Sequence, residues 1–265
     1  MDQSRPNHPF FKDYSLLLVG QPIRSSVDPT AEITFVEVLL RVSAGSLEKG
    51  LEHWKTRLIP TDPFIEQMLC NPTASIALDI WVAERVCQLD NPERYSINIT
   101  HHSCESIDFL RFCNHAFAKF KIEITERRPI TDQALEIIKE LSIRQEIYMD
   151  DFGQGHANLE SLLRLQPYLT GVKIDGTLMA DLSNATPMRR SMLGGTLAMI
   201  YRLHESGEKP LHCVAEMVET PSDMEELLVI RAAFSPLLKL FCQGWSVGKP
   251  RLLPFPVEHF EPSLI

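Results

Sequence analysis

Eight short runs, most of them rich in β-forming residues, recur along the chain, and helix-periodic stretches separate most of them. The runs are YSLLLVGQPI (14–23), ITFVEVLLRV (33–42), YSINIT (95–100), KIEIT (121–125), EIYMDD (146–151), TGVKID (170–175), PLHCVAE (210–216) and KLFCQG (239–244). Strands alternating with helices imply parallel pairing, because a parallel partner needs a crossover where an antiparallel one needs only a hairpin. The 265 residues match what a (β/α)8 barrel takes, typically about 250. Only residues 24–32 join the first two runs, too few for a crossover helix, so the first strand is expected to be antiparallel. An open doubly wound sheet would call for a Gly-rich phosphate loop after an early strand, and the chain has none.

The helical stretches carry their own signals. ITDQALEIIKELSI (130–143) starts on Thr131 as cap and sets Ala134, Ile137, Ile138 and Leu141 on one face. SIALDIWVAERVCQL (75–89) reads as a helix capped by Ser75, and residues 188–207 and 221–234 behave likewise. No linker or low-complexity tract divides the chain. Residues 14–265 therefore read as a single domain behind an N-terminal tail, residues 1–13.

Most of the runs contain a polar residue that an apolar strand does not need. Glu37, Asn98, Glu123, Asp150, Lys173, Glu216 and Gln243 sit within or near the C-terminal ends of successive runs. From Asn98 the intervals are 25, 27, 23, 43 and 27 residues, close to one βα unit each with one longer unit. A barrel brings the C-terminal ends of its strands to one face, where active sites are built. Alternation agrees: Ile122 and Ile124 oppose Glu123, and Val172 and Ile174 oppose Lys173.

Glu37, Glu123, Asp150, Asp151 and Glu216 crowded together would repel, and some would take up protons unless cations neutralised them. Carboxylates with one amide oxygen are hard ligands, suited to Mg2+ or Mn2+ rather than zinc. Adjacent Asp150 and Asp151 can divide their oxygens between two ions, an arrangement that serves in-line displacement at phosphorus. Lys173 would orient the attacking hydroxide or balance charge in the transition state. These residues read as a two-metal phosphoester hydrolase.

The remaining composition narrows the alternatives. A net charge of −9 argues against coating a nucleic-acid polymer or an anionic membrane, while leaving room for a small anionic ligand at a locally cationic site. Six dispersed cysteines without a C-x-x-C pair suit reduced thiols, and nine dispersed histidines show no H-E-x-x-H. No run approaches a membrane span and no signal-peptide core appears, so a cytoplasmic location is expected.

The ordered set of motifs resembles EAL-domain cyclic-di-GMP phosphodiesterases over about residues 17–253. The E-x-L-x-R signature stands as Glu37-Val38-Leu39-Leu40-Arg41, preceded by Gln21-Pro22-Ile23. "INIT", "EITE", "DDFGQG", Lys173-Ile174-Asp175, "AEMVET" and "CQGW" follow in the family's order. The resemblance implies a TIM-type (β/α)8 barrel of the EAL kind that cuts cyclic-di-GMP to linear 5′-pGpG with Mg2+ or Mn2+. It implies that Glu37, Asn98, Glu123, Asp150, Asp151 and Glu216 hold two metals, with Glu37, Asp150, Glu216 and Lys173 in the catalytic set. Lys173 would assist the attacking water. Gln21 and Arg41 would meet the substrate, Arg41 at a phosphate, and Gln243 would complete the site. Glu126 would anchor the loop after Asp151, with Glu219 also supporting a loop, and that region would form a homodimer contact. The chain departs from the pattern at Val38 in place of alanine and at Gln154 to His156 in place of small residues. Met217 replaces a glycine whose backbone needs room or an unusual φ. A catalytically silent EAL protein, acting as a cyclic-di-GMP receptor or protein-interaction module, is the alternative; the presence of every expected ligand type favours the enzyme.

Overall fold

The computed structural model describes residues 14–25, 32–44, 58–59, 61–116, 118–125, 128–153, 159–206, 211–255 and 258–259. The expected tail at 1–13 lies outside them. Strands β1 (Tyr14–Ser25) and β2 (Ile33–Ala44) pair antiparallel from Tyr14↔Ala44 to Arg24↔Ile33, with a register shift at Ile23/Arg24. The two-residue strand β3 (Leu58–Ile59) pairs antiparallel with β2. Strands β4 (Tyr95–Ile99), β5 (Lys121–Ile124), β6 (Glu146–Phe152), β7 (Gly171–Ile174), β8 (His212–Ala215) and β9 (Lys239–Cys242) then add in parallel, each beside its predecessor and starting from β2. Antiparallel pairing of β1 with β9, Arg24↔Cys242 and Ser25↔Phe241, closes the ring. Short strands β10 (Arg251–Leu252) and β11 (Glu258–His259) pair with β1 outside it. The fold is the expected eight-stranded barrel, with its first strand antiparallel because the β1–β2 connection leaves room for a turn and not for a helix.

Helices α1 (Thr61–Leu69), α2 (Pro72–Val86), α3 (His101–Cys104), α4 (Ile107–His115), α5 (Asp132–Leu141), α6 (Leu159–Leu165), α7 (Gly176–Met179), α8 (Pro187–Ser206) and α9 (Pro221–Phe234) occupy the connections. Thr131 caps α5 as expected, its side chain accepting from the Ala134 N–H at 3.1 Å. The cap of α2 differs from expectation. Asn71 accepts from the Ala74 N–H at 3.2 Å and Pro72 takes the first helical position. That pair outcompetes Ser75 as a start signal. Ser75 lies inside the helix, fully buried, its Oγ donating to Thr100 Oγ1 at 2.8 Å.

Two apolar layers follow from the period of two along each strand. Ile97, Ile99, Ile122, Ile124, Ile147, Met149, Val172 and Ile174 belong to the core shared with the helices. Ile23, Phe35, Tyr148, Val214 and Phe241 form a separate buried cluster inside the barrel. Phe35 packs against Tyr148 at a ring separation of 5.4 Å and against Phe241 at 6.3 Å. Each of these five residues stands two positions from a polar tip: Gln21, Glu37, Asp150, Glu216 or Gln243. The polar layer therefore rests on an apolar floor. Among the described residues no helix is long and apolar enough to cross a membrane.

Candidate active site

The polar strand tips converge at the mouth of the barrel. Lys173, 1% exposed, is their hub: its Nζ lies 2.6 Å from Glu123 Oε2, 2.8 Å from Glu216 Oε1, 2.9 Å from Asp150 Oδ1 and 3.4 Å from Glu37 Oε2. Asn98 Nδ2 donates to Glu37 Oε1 at 2.6 Å, and Gln243 Nε2 donates to Glu37 Oε2. Glu37, Asn98, Glu123, Asp150, Lys173, Glu216 and Gln243 are thus brought together.

Charge does not balance within this layer. One ammonium faces four carboxylates, and Asp151 adds a fifth at the rim. Burial alone would lower the Lys173 pKa, but Asp150, Glu123, Glu216 and Glu37 raise it well above its ordinary value. Burial pushes the Glu123 carboxyl well up, reinforced by Glu37 and Asp150. Burial also raises Asp150, against the pull of Lys173, and carries Glu216 to about 8. Asp151 rises to about 6 through burial and the adjacent Asp150. Glu37 is the exception: burial opposes ionisation, yet Lys173 and the donors Gln243 and Asn98 hold its pKa below the usual value.

The oxygens fall into two groups that can each hold a metal ion: Glu37, Glu123 and Asp150, and Asp150, Asp151 and Glu216. Buried Asn98 Oδ1 and Glu123 Oε1 have no hydrogen-bond partner. Unpaired buried acceptors are costly and call for a cation or a donor. With no nitrogen or sulfur ligand in either group, the donor set fits hard divalent cations.

A bulge solves the problem of two adjacent aspartates. The β6–β7 register runs from Met149↔Val172 to Phe152↔Ile174, so β6 carries one extra residue there. Asp151 takes it up at φ +53°, in the left-handed region that Asp tolerates better than most residues. Asp150 stays buried while Asp151 is exposed at the rim. Met217 also stands at positive φ, +51°, a conformation that costs a non-glycine residue about 1–2 kcal/mol. The unusual φ expected at this position is what the structure shows.

Gln21 pairs with Glu37 across the β1–β2 ladder and lines a cavity of about 340 Å³ with Asp150, Asp151, Lys173, Met217, Glu219 and Trp245. Arg41 lines an adjoining, more apolar cavity of about 270 Å³ and donates to its neighbour's Leu40 carbonyl at 2.8 Å. Leu39 and Asp150 belong to both cavities. Glu126 and the loop segment Gln154 to His156 lie outside the described residues.

Asp79 was not among the expected residues. On α2, buried, it accepts at Oδ2 from the Thr100 N–H (2.8 Å), Thr100 Oγ1 (2.8 Å) and Ser103 Oγ (2.6 Å). This braces the turn that follows Asn98. An aspartate among the mostly apolar positions of the helix's buried face was the signal available in the sequence. Asp79→Ala would leave three donors unpaired and should cost about 2–3 kcal/mol in urea unfolding. Asp79→Asn, which keeps an acceptor, should cost less; equal losses would show that the contacts are incidental.

An α/β barrel whose mouth gathers five carboxylates, two amides and a lysine is a scaffold for divalent-cation chemistry. The chain belongs to the EAL-domain family, whose sequence model, described as EAL domain, matches residues 13–250. A curated relative, the probable cyclic di-GMP phosphodiesterase PdeA of Escherichia coli (strain K12), is 27% identical over 185 residues, 65% of this chain and 23% of that protein. The chain thus spans only a minor part of that relative's length. Among solved structures, the PaMucR phosphodiesterase in a c-di-GMP complex superposes with a TM-score of 0.69 at 22% identity, covering 89% of this chain and 97% of that one. The Xanthomonas citri FimX EAL domain in complex with c-diGMP gives 0.67 at 16% identity, covering 92% and 91%. At these identities the structural likeness shows the fold.

Proposed function

We propose that the chain is a metal-dependent phosphodiesterase that hydrolyses cyclic-di-GMP to linear 5′-pGpG. The observation that carries this reading is the acidic layer itself: more buried carboxylates than its one lysine can balance, with acceptor oxygens left unpaired. Glu37, Glu123, Asp150 and Asn98 would hold one Mg2+ or Mn2+, and Asp150, Asp151 and Glu216 a second. When bound, such ions supply Lewis-acid charge to a phosphodiester and lower the pKa of water. Lys173, held by its carboxylate partners with its ammonium charged, orients the water and offsets negative charge growing at phosphorus. Water bonds to phosphorus, the bond to the 3′ oxygen breaks, and that oxygen takes up a proton, which leaves the phosphate on the 5′ side. Gln21 and Arg41 bind from the rim, Arg41 as the phosphate partner. The more apolar cavity beside the acidic one suits a purine attached to that phosphate. The apolar floor keeps bulk water from below the reacting centre.

Support from relatives is specific: a probable cyclic di-GMP phosphodiesterase by sequence, and two EAL structures with that dinucleotide bound. The reading extends to a cytoplasmic homodimer. Leu159 and Leu163, four apart on α6 and both exposed, offer an apolar stripe beside the loop after Asp151. Incubation with cyclic-di-GMP and Mg2+ or Mn2+ should yield pGpG. Tight binding without turnover would replace the enzyme with the receptor reading.

Metal uptake should also depend on pH. Ligating carboxylates must be ionised, so binding releases protons and apparent affinity rises between pH 6 and 8.5. The sign for stability follows from raised pKa values: Glu216 moves from 4.5 to about 8, so the native state holds more protons than the unfolded one. Metal-free stability therefore falls as pH rises through that window. The gain in Tm on adding Mn2+ should be larger at pH 8 than at pH 6; an equal gain would detach these carboxylates from the ion.

A further inference from the structure

The loop after β8 turns on a residue type that its backbone does not favour. The Glu216 N–H donates to the Ile174 carbonyl on β7 at 3.3 Å, while the Val218 N–H donates to the Gln243 carbonyl past β9 at 2.9 Å. Val218 is fixed again through its own carbonyl, which accepts from the Ser246 N–H at 3.2 Å. Between these anchors the chain swings from one neighbouring strand to the other within a single residue, Met217, at φ +51°. Glycine takes that conformation freely; a methionine stays there only where its surroundings over-determine it.

Those surroundings are specific. A Cβ on Gly176, the first residue of α7, would lie 2.2 Å from Met217 Sδ and 2.3 Å from its Cγ. The thioether fills the recess that Gly176 leaves, and so ties the Glu216 loop to the βα unit that carries Lys173. Met217 is nevertheless 47% exposed, so a place in the core is not what holds it. An unbranched, adaptable side chain suits such a narrow recess.

We propose that Met217 is a positioning residue: keyed into the Gly176 recess, it fixes the left-handed turn that presents Glu216 to Asp150 and Asp151, and thereby sets the affinity of one of the two ion positions. This rests on the two-ion reading above. Its reach is one-sided. The Asp150, Asp151 and Glu216 group includes the residue bonded to Met217, whereas Glu37, Glu123 and Asp150 come from β2, β5 and β6.

The test is a Mn2+ titration of the metal-free protein, followed by calorimetry and by the electron paramagnetic resonance signal of free Mn2+. Wild type should take up two ions. Met217→Ala should weaken one of them about tenfold or more and leave the other within about twofold. Met217→Leu, which still fills the recess, should stay within about threefold of wild type. Gly176→Ala pushes a methyl group into the Met217 side chain and should weaken the same ion, but should add nothing further in the Met217→Gly background, where every side-chain atom it would meet is gone. Met217→Gly removes the key and the backbone strain together. It should weaken that ion as Met217→Ala does without lowering the unfolding midpoint, which separates positioning from stability. Additive effects, equal weakening of both ions, or unchanged isotherms would overturn the proposal. A single ion in wild type would overturn both the proposal and the two-ion reading. The expected isotherms without turnover of cyclic-di-GMP would support Met217 as a positioning residue and sink the substrate assignment alone.

Discussion

Asp150→Asn should lower cyclic-di-GMP turnover by about 10³-fold or more while leaving the metal-free unfolding midpoint at pH 8 no lower than wild type. Asp150 is the one carboxylate common to both acidic groups, so removing its charge would weaken both proposed ion positions at once. Loss of a single group that stabilises transition-state charge typically costs about 10²–10³, and here two positions depend on one side chain. Stability should move differently. Burial and Glu37 already hold the Asp150 carboxyl above its ordinary pKa, against the 2.9 Å contact with Lys173. Its charged form is a strained member of a crowd, and an amide of the same shape relieves that crowding. Site groups that destabilise the fold in this way are a common functional compromise. A large fall in the midpoint, with turnover lost only in proportion, would make Asp150 a structural residue.

Lys173→Met should lower stability as well as turnover. Among the described residues its ammonium is the only cationic group within ion-pair distance of Glu37, Glu123, Asp150 and Glu216. Removing one partner from a buried ionic cluster costs about 3–5 kcal/mol, a large part of a typical folding free energy of about 5–15 kcal/mol. Without the ammonium the carboxylates hold protons more tightly in the folded state than in the unfolded one. The loss should therefore be smaller near pH 5, where more of them carry protons, and grow as pH rises to 8. Mn2+ should recover part of the midpoint at pH 8. Urea titrations at both pH values, with and without metal, check this; a loss independent of pH and metal would assign Lys173 a packing role only.

Much of this architecture is legible from local pattern. Period-two alternation in KIEIT and TGVKID shows which side chains turn inward, and the short 24–32 connection shows why the first strand runs backwards. Contacts made across the ring are not written locally. Gln243 and Glu37 meet although 206 residues apart in sequence, and the fourfold pairing of Lys173 depends on four other strand tips at once. The Asp150–Asp151 doublet is visible as a charge anomaly, whereas the bulge that separates the two side chains is a matter of register between β6 and β7. Asp79 escapes notice because helical periodicity predicts burial without saying what a buried carboxylate will meet. Ser75 misleads for a related reason: a serine at the head of an apolar stripe signals a cap only until an Asn-Pro pair just upstream competes for the same turn.

The apolar floor of Ile23, Phe35, Tyr148, Val214 and Phe241 has a kinetic consequence. With the lower end of the barrel plugged, any ligand of the acidic layer has to enter and leave through the mouth, which a cyclic dinucleotide bound as proposed would itself obstruct. Under the proposed reaction, ions and the attacking water would have to be in place before the substrate arrives, and the linear product would have to leave before the next water enters. Such a reaction would be a queue with a fixed order of arrivals, and a side chain that narrows the doorway would slow the exit of product as much as the entry of substrate.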